Sequence, residues 1–335
     1  MIKGKFVLLH EDKKALEEAI RATANTLSLP IEYVEKDYWI TYTLKTLASS
    51  DMDDEIVFKG GTSLSKAYNL ISRFSEDIDI AVLTESLSGN QIKTKLKKIT
   101  NCMNTIFKEI ESPDTSKGSK FRKIRFQYPR MDNSVPIEGQ ITDSLLLEVN
   151  AFTDPEPYSK IFMSSYIAEY FKNHGFKDAI KEYGLEAFEM NVLCTSRTLC
   201  EKVMGLVKAS YSKNNIVKIA QKIRHIYDIH YLLTDKFTRD FLESDNFLDM
   251  MAKVIVCDKE AFGTAEWLKQ PIANACVFSS LIDIWPALKN TYHGDFKAMV
   301  VGDALPSITE LTESMSKVHK QLVKFDAFYF NQIQS

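Results

Sequence analysis

Residues 58–80, FKGGTSLSKAYNLISRFSEDIDI, decide how this chain is read. Val57 and Phe58 lead into the pair Gly60-Gly61, a polar stretch that can start a helix follows, and Asp77 and Asp79 then alternate with Ile78 and Ile80. The order predicts a strand, a glycine turn, a helix and a second strand with both acids on one face, because residues two apart in a strand point the same way. Glycine has no Cβ, so the backbone can turn sharply and a phosphate can come close to it. Thr62 and Ser63 offer an N-cap hydroxyl beside first-turn amides, an arrangement suited to an anion. Two carboxylates next to such a turn are hard oxygen donors for a divalent cation. The plainer alternative is a hairpin that caps a helix and exposes two acids to water.

A chain of 335 residues has room for two domains with sizeable cores. With 26% charged and 45% apolar residues it has the composition of an ordinary globular protein and not of a disordered one. The apolar run near the N-terminus is too short for a signal peptide, and no stretch approaches the length of a membrane span, so a cytoplasmic protein without a membrane partner is expected. Net charge is −3, which gives no long-range attraction for nucleic acid; any such binding must come from local clusters. Five scattered cysteines without CxxC spacing read as thiols, and histidines without HxH or HExxH spacing give no zinc site.

Outward from the central stretch, residues 11–27 and 32–48 carry helical apolar stripes, with Asp37 at the edge of the second. Lys36 or Asp37 could reach the central site, or Asp37 could answer a core arginine or a backbone donor. After Ser88-Gly89-Asn90 a helix is expected over 91–110, then strands over 121–128 and 144–152. Glu148 interrupts the nearly continuous apolar run SLLLEVNAF, and a carboxylate there needs a cation or a partner such as Arg125 on a neighbouring strand. Asp154-Pro155-Glu156-Pro157 breaks the chain, a short strand is expected at 190–194, and the pattern beyond is helical: 196–210, 215–233, 237–245, 278–289, 294–301 and 307–330. The expected organisation is a first domain over 1–191 and a helical second domain over 192–335. Lys202 falls on the inward side of its helix, directed at a cleft or snorkelling past the core. Asp228 stands one turn after Arg224, the spacing of a modest helix ion pair. Basic residues gather at 93–98, 117–125 and 213–224.

GGTS followed thirteen residues on by DxD resembles the first motif of polymerase β type nucleotidyltransferases, and GGTSLSKAY with RFSEDIDI is similar to the AbiEii/AbiGii toxin family within that superfamily. EKDYW at 35–39, TSRTLCEKVMGL at 195–206 and the RxxxDxxxL pattern of Arg224, Asp228 and Leu232 resemble further segments of that family. The resemblance implies an α+β fold, a small mixed-sheet nucleotidyltransferase domain with flanking helices followed by a mainly helical domain that completes the active-site cleft. It implies Mg²⁺, in a two-metal site, on Asp77, Asp79 and Glu148. It also implies an NTP whose phosphates meet Gly60, Gly61, Thr62, Ser63, Lys66 and Arg73, with Lys202 neutralising pyrophosphate and Arg224 and Asp228 walling the site. The implied reaction moves an NMP from NTP to an acceptor hydroxyl with release of pyrophosphate. The implied role is the toxin of a toxin–antitoxin or phage-defence system, acting on tRNA or another RNA and opposed by a cognate antitoxin. A small-molecule nucleotidyltransferase of the antibiotic-modifying kind is the alternative within enzymes, and a non-catalytic nucleotide-binding module the alternative outside them. Three carboxylates on a binding-only module would have no purpose.

Overall fold

The structure is a computed structural model that describes residues 7–131, 142–263, 265–302 and 304–334. The described residues of 1–67, 74–151 and 158–192 form one compact unit; those of 68–73, 152–157 and 193–335 form a second.

The first unit is built on a mixed sheet. Helices α1 (Lys13–Leu27) and α2 (Ile31–Ala48) precede β1 (Ile56–Lys59), α3 (Gly60–Lys66), β2 (Asp77–Val82) and α4 (Gly89–Asn104). There follow β3 (Lys108–Ile110), β4 (Ser116–Lys117), β5 (Phe121–Gln127), β6 (Ser144–Asn150), β7 (Tyr158–Met163), α5 (Tyr166–Asn173), α6 (Lys177–Glu182) and β8 (Phe188–Leu193). The strand order is β3-β5-β6-β2-β1-β8-β7, with β4 added beside β5. β2 runs parallel to β6 and antiparallel to β1, which is parallel to β8. Ile78, Ile80, Leu147, Val149, Ile124 and Phe126 are buried at alternate positions of the three central strands. At roughly 1.5–3 kcal/mol for each fully buried aliphatic or aromatic side chain, this face accounts for much of the sheet's stability.

The helix expected over 91–110 ends at Asn104, and residues 108–110 pair with β5 as a strand. β7 has no run of buried apolar residues along its length, so its short mixed sequence YSKIFM carries little strand signal. α2 is not a one-sided helix. Glu35, Lys36 and Asp37 are consecutive and all less than 5% exposed, along with Val34, Tyr38, Trp39 and Ile40, and Tyr33 is buried too. A helix buried all round must find partners for each charge it carries.

The second unit holds α7 (Thr195–Ser210), α8 (Asn215–Gln221), α9 (Ile223–Thr234), α10 (Lys236–Glu243), α11 (Asp245–Phe262), α12 (Cys276–Ser279), α13 (Leu281–Thr291) and α14 (Ile308–Gln334). The single helix expected over 215–233 is two, α8 and α9, meeting at Lys222. Residues 294–301 form only short turns. α11, absent from the sequence reading, packs against α7 and α10.

Candidate functional site

Strand register assembles the acids of the first unit. Lys59 of β1 faces Asp79 of β2, Asp79 faces Glu148 of β6, and Glu148 faces Lys123 of β5. Directly paired residues share a face, so these four make one row across the sheet, with Asp77 two residues along from Asp79. The opposite face is the apolar core, which forces the charged set outward. Glu148 Oε1 lies 3.0 Å from Lys123 Nζ, and the same ammonium is 3.3 Å from Asp114. Partial burial works to lower the Lys123 pKa, and Glu148 and Asp114 outweigh it, holding the amine above its ordinary value. The partner of Glu148 is therefore Lys123, not Arg125, which faces Leu146 in register and binds Asp114 at 3.3 Å.

Gly60 closes this corner. Its φ is +83°, and a Cβ there would lie 2.0 Å from Asp79 Oδ2. Only a residue with no side chain leaves room for that carboxylate. The N-cap of α3 is Lys59, and neither hydroxyl expected to cap it does so. Thr62 Oγ1 donates to the Asp77 carbonyl at 2.6 Å and Ser63 Oγ to the Gly60 carbonyl at 2.9 Å, both residues being buried. The Thr62 hydroxyl fastens α3 to β2 and the Ser63 hydroxyl closes back on the first residue of α3; what remains for an anion at Gly61, Thr62 and Ser63 is their main chain. Gly60→Ala is expected to cost about 1–3 kcal/mol of stability for its backbone conformation alone. Because a misplacement of about 1 Å can cost about 10²-fold in rate, it should reduce turnover far more than its stability loss explains. Steady-state kinetics beside thermal melts check this.

The EKDYW segment anchors both ends of the central motif. Lys36 Nζ binds the Glu76 carboxylate, immediately before β2, and donates to the Thr142 carbonyl at 2.7 Å. Asp37 binds Lys66, the last residue of α3, and accepts the Tyr166 N–H at 2.9 Å. Glu35 accepts the Met131 N–H. Of the two readings of Lys36 and Asp37, the structure gives the anchoring one, with a lysine in place of the core arginine. Lys66, expected on a phosphate, has its ammonium in a buried ion pair, 5.6 Å from the Tyr166 ring centre.

In the second unit Arg73, Lys202 and Asp228 meet. Arg73 Nε and Nη2 donate to the two Asp228 oxygens at 2.7 and 2.8 Å, and Lys202 Nζ donates to Oδ2 at 2.6 Å. Burial works against the charged carboxylate, but the guanidinium and ammonium outweigh it and hold Asp228 well below the usual carboxylate range. The expected Arg224–Asp228 pair is thus replaced by two more distant cations. Both Asp228 oxygens are engaged inside the protein, which makes it the organiser of Arg73 and Lys202. A Cβ on Gly205 would come 2.9 Å from the His225 ring, so the missing side chain permits the close approach of α7 to α9 that this contact needs. Arg224 is only half-buried.

The basic clusters are largely answered by acids. Lys95 pairs with Glu55, Lys98 with Asp51, Lys117 with Glu109, and Lys123 and Arg125 with the acids named above. Arg122 is buried on the opposite face from Lys123. Lys93, Lys97, Lys120, Lys213 and Lys218 are exposed. Among the described residues no three acidic, histidine or cysteine side chains converge as a ready metal cage. Asp77 and Asp79 nevertheless present oxygen donors of the kind Mg²⁺ takes, with Glu148 one strand away and held by Lys123. No helix among the described residues is long and apolar enough to cross a membrane.

The model of a family described as "Nucleotidyl transferase AbiEii toxin, Type IV TA system" matches residues 42–313. Among solved structures the chain is similar to MenT4, a nucleotidyltransferase toxin from Mycobacterium tuberculosis H37Rv, with a TM-score of 0.51 and 12% identity over 95% of this chain and 96% of that one. That likeness shows the fold. No curated protein matches the sequence.

Proposed function

Because this chain belongs to the AbiEii nucleotidyltransferase toxin family of type IV toxin–antitoxin systems, we propose that it transfers an NMP from an NTP to a hydroxyl of an RNA acceptor, with pyrophosphate released. The observation that carries the reading is the row Lys59, Asp79, Glu148 and Lys123 beside Gly60, with Asp77 on the same strand face. Asp77 and Asp79 would hold Mg²⁺, with Glu148 as the third ligand. When bound there, Mg²⁺ supplies neutralisation of the triphosphate charge. With the space at Gly60 taken by the Asp79 carboxylate, the main chain at Gly61, Thr62 and Ser63 would meet the phosphate. The acceptor oxygen bonds to the α-phosphorus, the bond to the bridging oxygen breaks, and the hydroxyl proton passes to a base. Exposed Lys93 and Lys97, one turn apart on α4, and Lys120 support a polyanionic acceptor, although the ion-paired remainder of the clusters makes that support smaller than their count suggests.

The test is incubation of the protein with Mg²⁺, each labelled NTP in turn, and either total cellular RNA or a small-molecule extract. Label in RNA, lost progressively as salt rises, is the expected result. Label only in small molecules would transfer the assignment to the antibiotic-modifying class. Glu148→Gln should lower kcat by about 10²-fold or more while NTP affinity changes little, since a group acting mainly in the transition state affects turnover and not ground-state binding.

A further inference from the structure

Glu148 of β6 stands in register beside Asp79 of β2, and strands so paired lie only about 4.8 Å apart, close enough for the two carboxylates to share a cation. They do not converge: among the described residues no three acids come together as a metal cage. The neighbour of Glu148 on its other side is Lys123 of β5, and Glu148 Oε1 lies 3.0 Å from that ammonium. Because β5 and β2 flank β6, this contact draws the third acid away from the other two. It also relieves the pair, since like charges directly opposite one another across a sheet are destabilising.

The ammonium has a second seat. Asp114 Oδ2 lies 3.3 Å from Lys123 Nζ, and Asp114 is itself held by the Ser112 hydroxyl and by Arg125, whose Nη2 is 3.3 Å from the same Oδ2. Lysine carries a compact charge on a flexible four-carbon stem, so Lys123 can keep Asp114 while letting Glu148 go. On the reading that Asp77, Asp79 and Glu148 hold Mg²⁺, we infer that Lys123 is a latch on the third ligand: it holds Glu148 back from Asp77 and Asp79, and gives it up to a divalent cation by resting on Asp114 alone. Ammonium and metal compete for one carboxylate, so loading the site costs the Lys123–Glu148 contact. Asp114 keeps that cost small, because the released ammonium is not left without a partner in a partly buried place.

The test is titration of the full chain with Mn²⁺ alone, without nucleotide, followed by the electron paramagnetic resonance signal of the free ion. Lys123→Gln should tighten Mn²⁺ binding about fivefold or more, because an exposed ion pair is worth up to about that factor and this one is mostly buried. Lys123→Arg, which keeps the charge, should stay near wild type. Loss of a nearby positive charge would by itself favour a cation, so the decisive background is Glu148→Gln, where the latch has nothing to hold. Adding Lys123→Gln there should change the affinity by less than about twofold. Asp114→Asn should weaken Mn²⁺ binding when Lys123 is present and have no effect once it is replaced by Gln. A gain from Lys123→Gln that persists in Glu148→Gln, or no gain at all, would overturn the latch and leave the metal site standing. Mn²⁺ binding that survives Asp77→Asn combined with Asp79→Asn would overturn the metal reading itself, and the latch with it.

Discussion

Asp77→Asn and Asp79→Asn, made separately, each reduce nucleotidyl transfer by about 10³-fold or more while far-ultraviolet circular dichroism and the cooperative melt persist. The magnitude follows from several kcal/mol of transition-state charge stabilisation at a cation held by carboxylates, at about 1.4 kcal/mol per factor of ten. The fold survives because the packing of β2 is carried by Ile78 and Ile80, which are 0% exposed, while the two acids lie on the other face of the strand. Asn keeps the volume beside Gly60 and changes only the charge. Collapse of the melting temperature in both variants would show that the acids serve the sheet and not the chemistry.

Asp228→Asn should cost about 3–5 kcal/mol of stability, because it removes the one carboxylate between two cations that stay buried. Arg73 and Lys202 are 4% and 6% exposed, so water cannot take over the role of Asp228. The pH dependence has a definite sign. A carboxylate held below its ordinary value contributes stability in full above the unfolded value of about 3.9, and loses it as pH falls through the lower folded value. Urea midpoints should therefore separate wild type from Asp228→Asn at neutral pH and draw together only in strong acid. A difference under about 1 kcal/mol at neutral pH would mean that the trio is neutral in net energy and serves geometry alone.

The local grammar of the chain was legible wherever a structural rule spans only a few residues. Alternation in DIDI placed Asp77 and Asp79 on one face, and Gly60-Gly61 marked the turn, because strand period and glycine freedom are properties of neighbouring residues. The same local reasoning misassigned Thr62 and Ser63, since a hydroxyl at a helix start can serve the helix or a strand beside it, and here β2 claims Thr62. It also missed α11, whose apolar residues gain a surface to pack on only when α7 and α10 are in place.

What the sequence determined by itself is the fold class, the acidic strand beside a glycine turn and the kinship with nucleotidyltransferase toxins. What tertiary structure decided is which charge answers which. Arg73 and Asp228 stand 155 positions apart, Lys36 and Glu76 forty, and Asp37 and Lys66 twenty-nine. Arg224, one helical turn from Asp228, lost that carboxylate to Arg73 and Lys202. Helix spacing makes a neighbour available at a few tenths of a kcal/mol, whereas burial makes an unanswered charge cost several, so the partners that the folded core brings together prevail over those the sequence sets side by side.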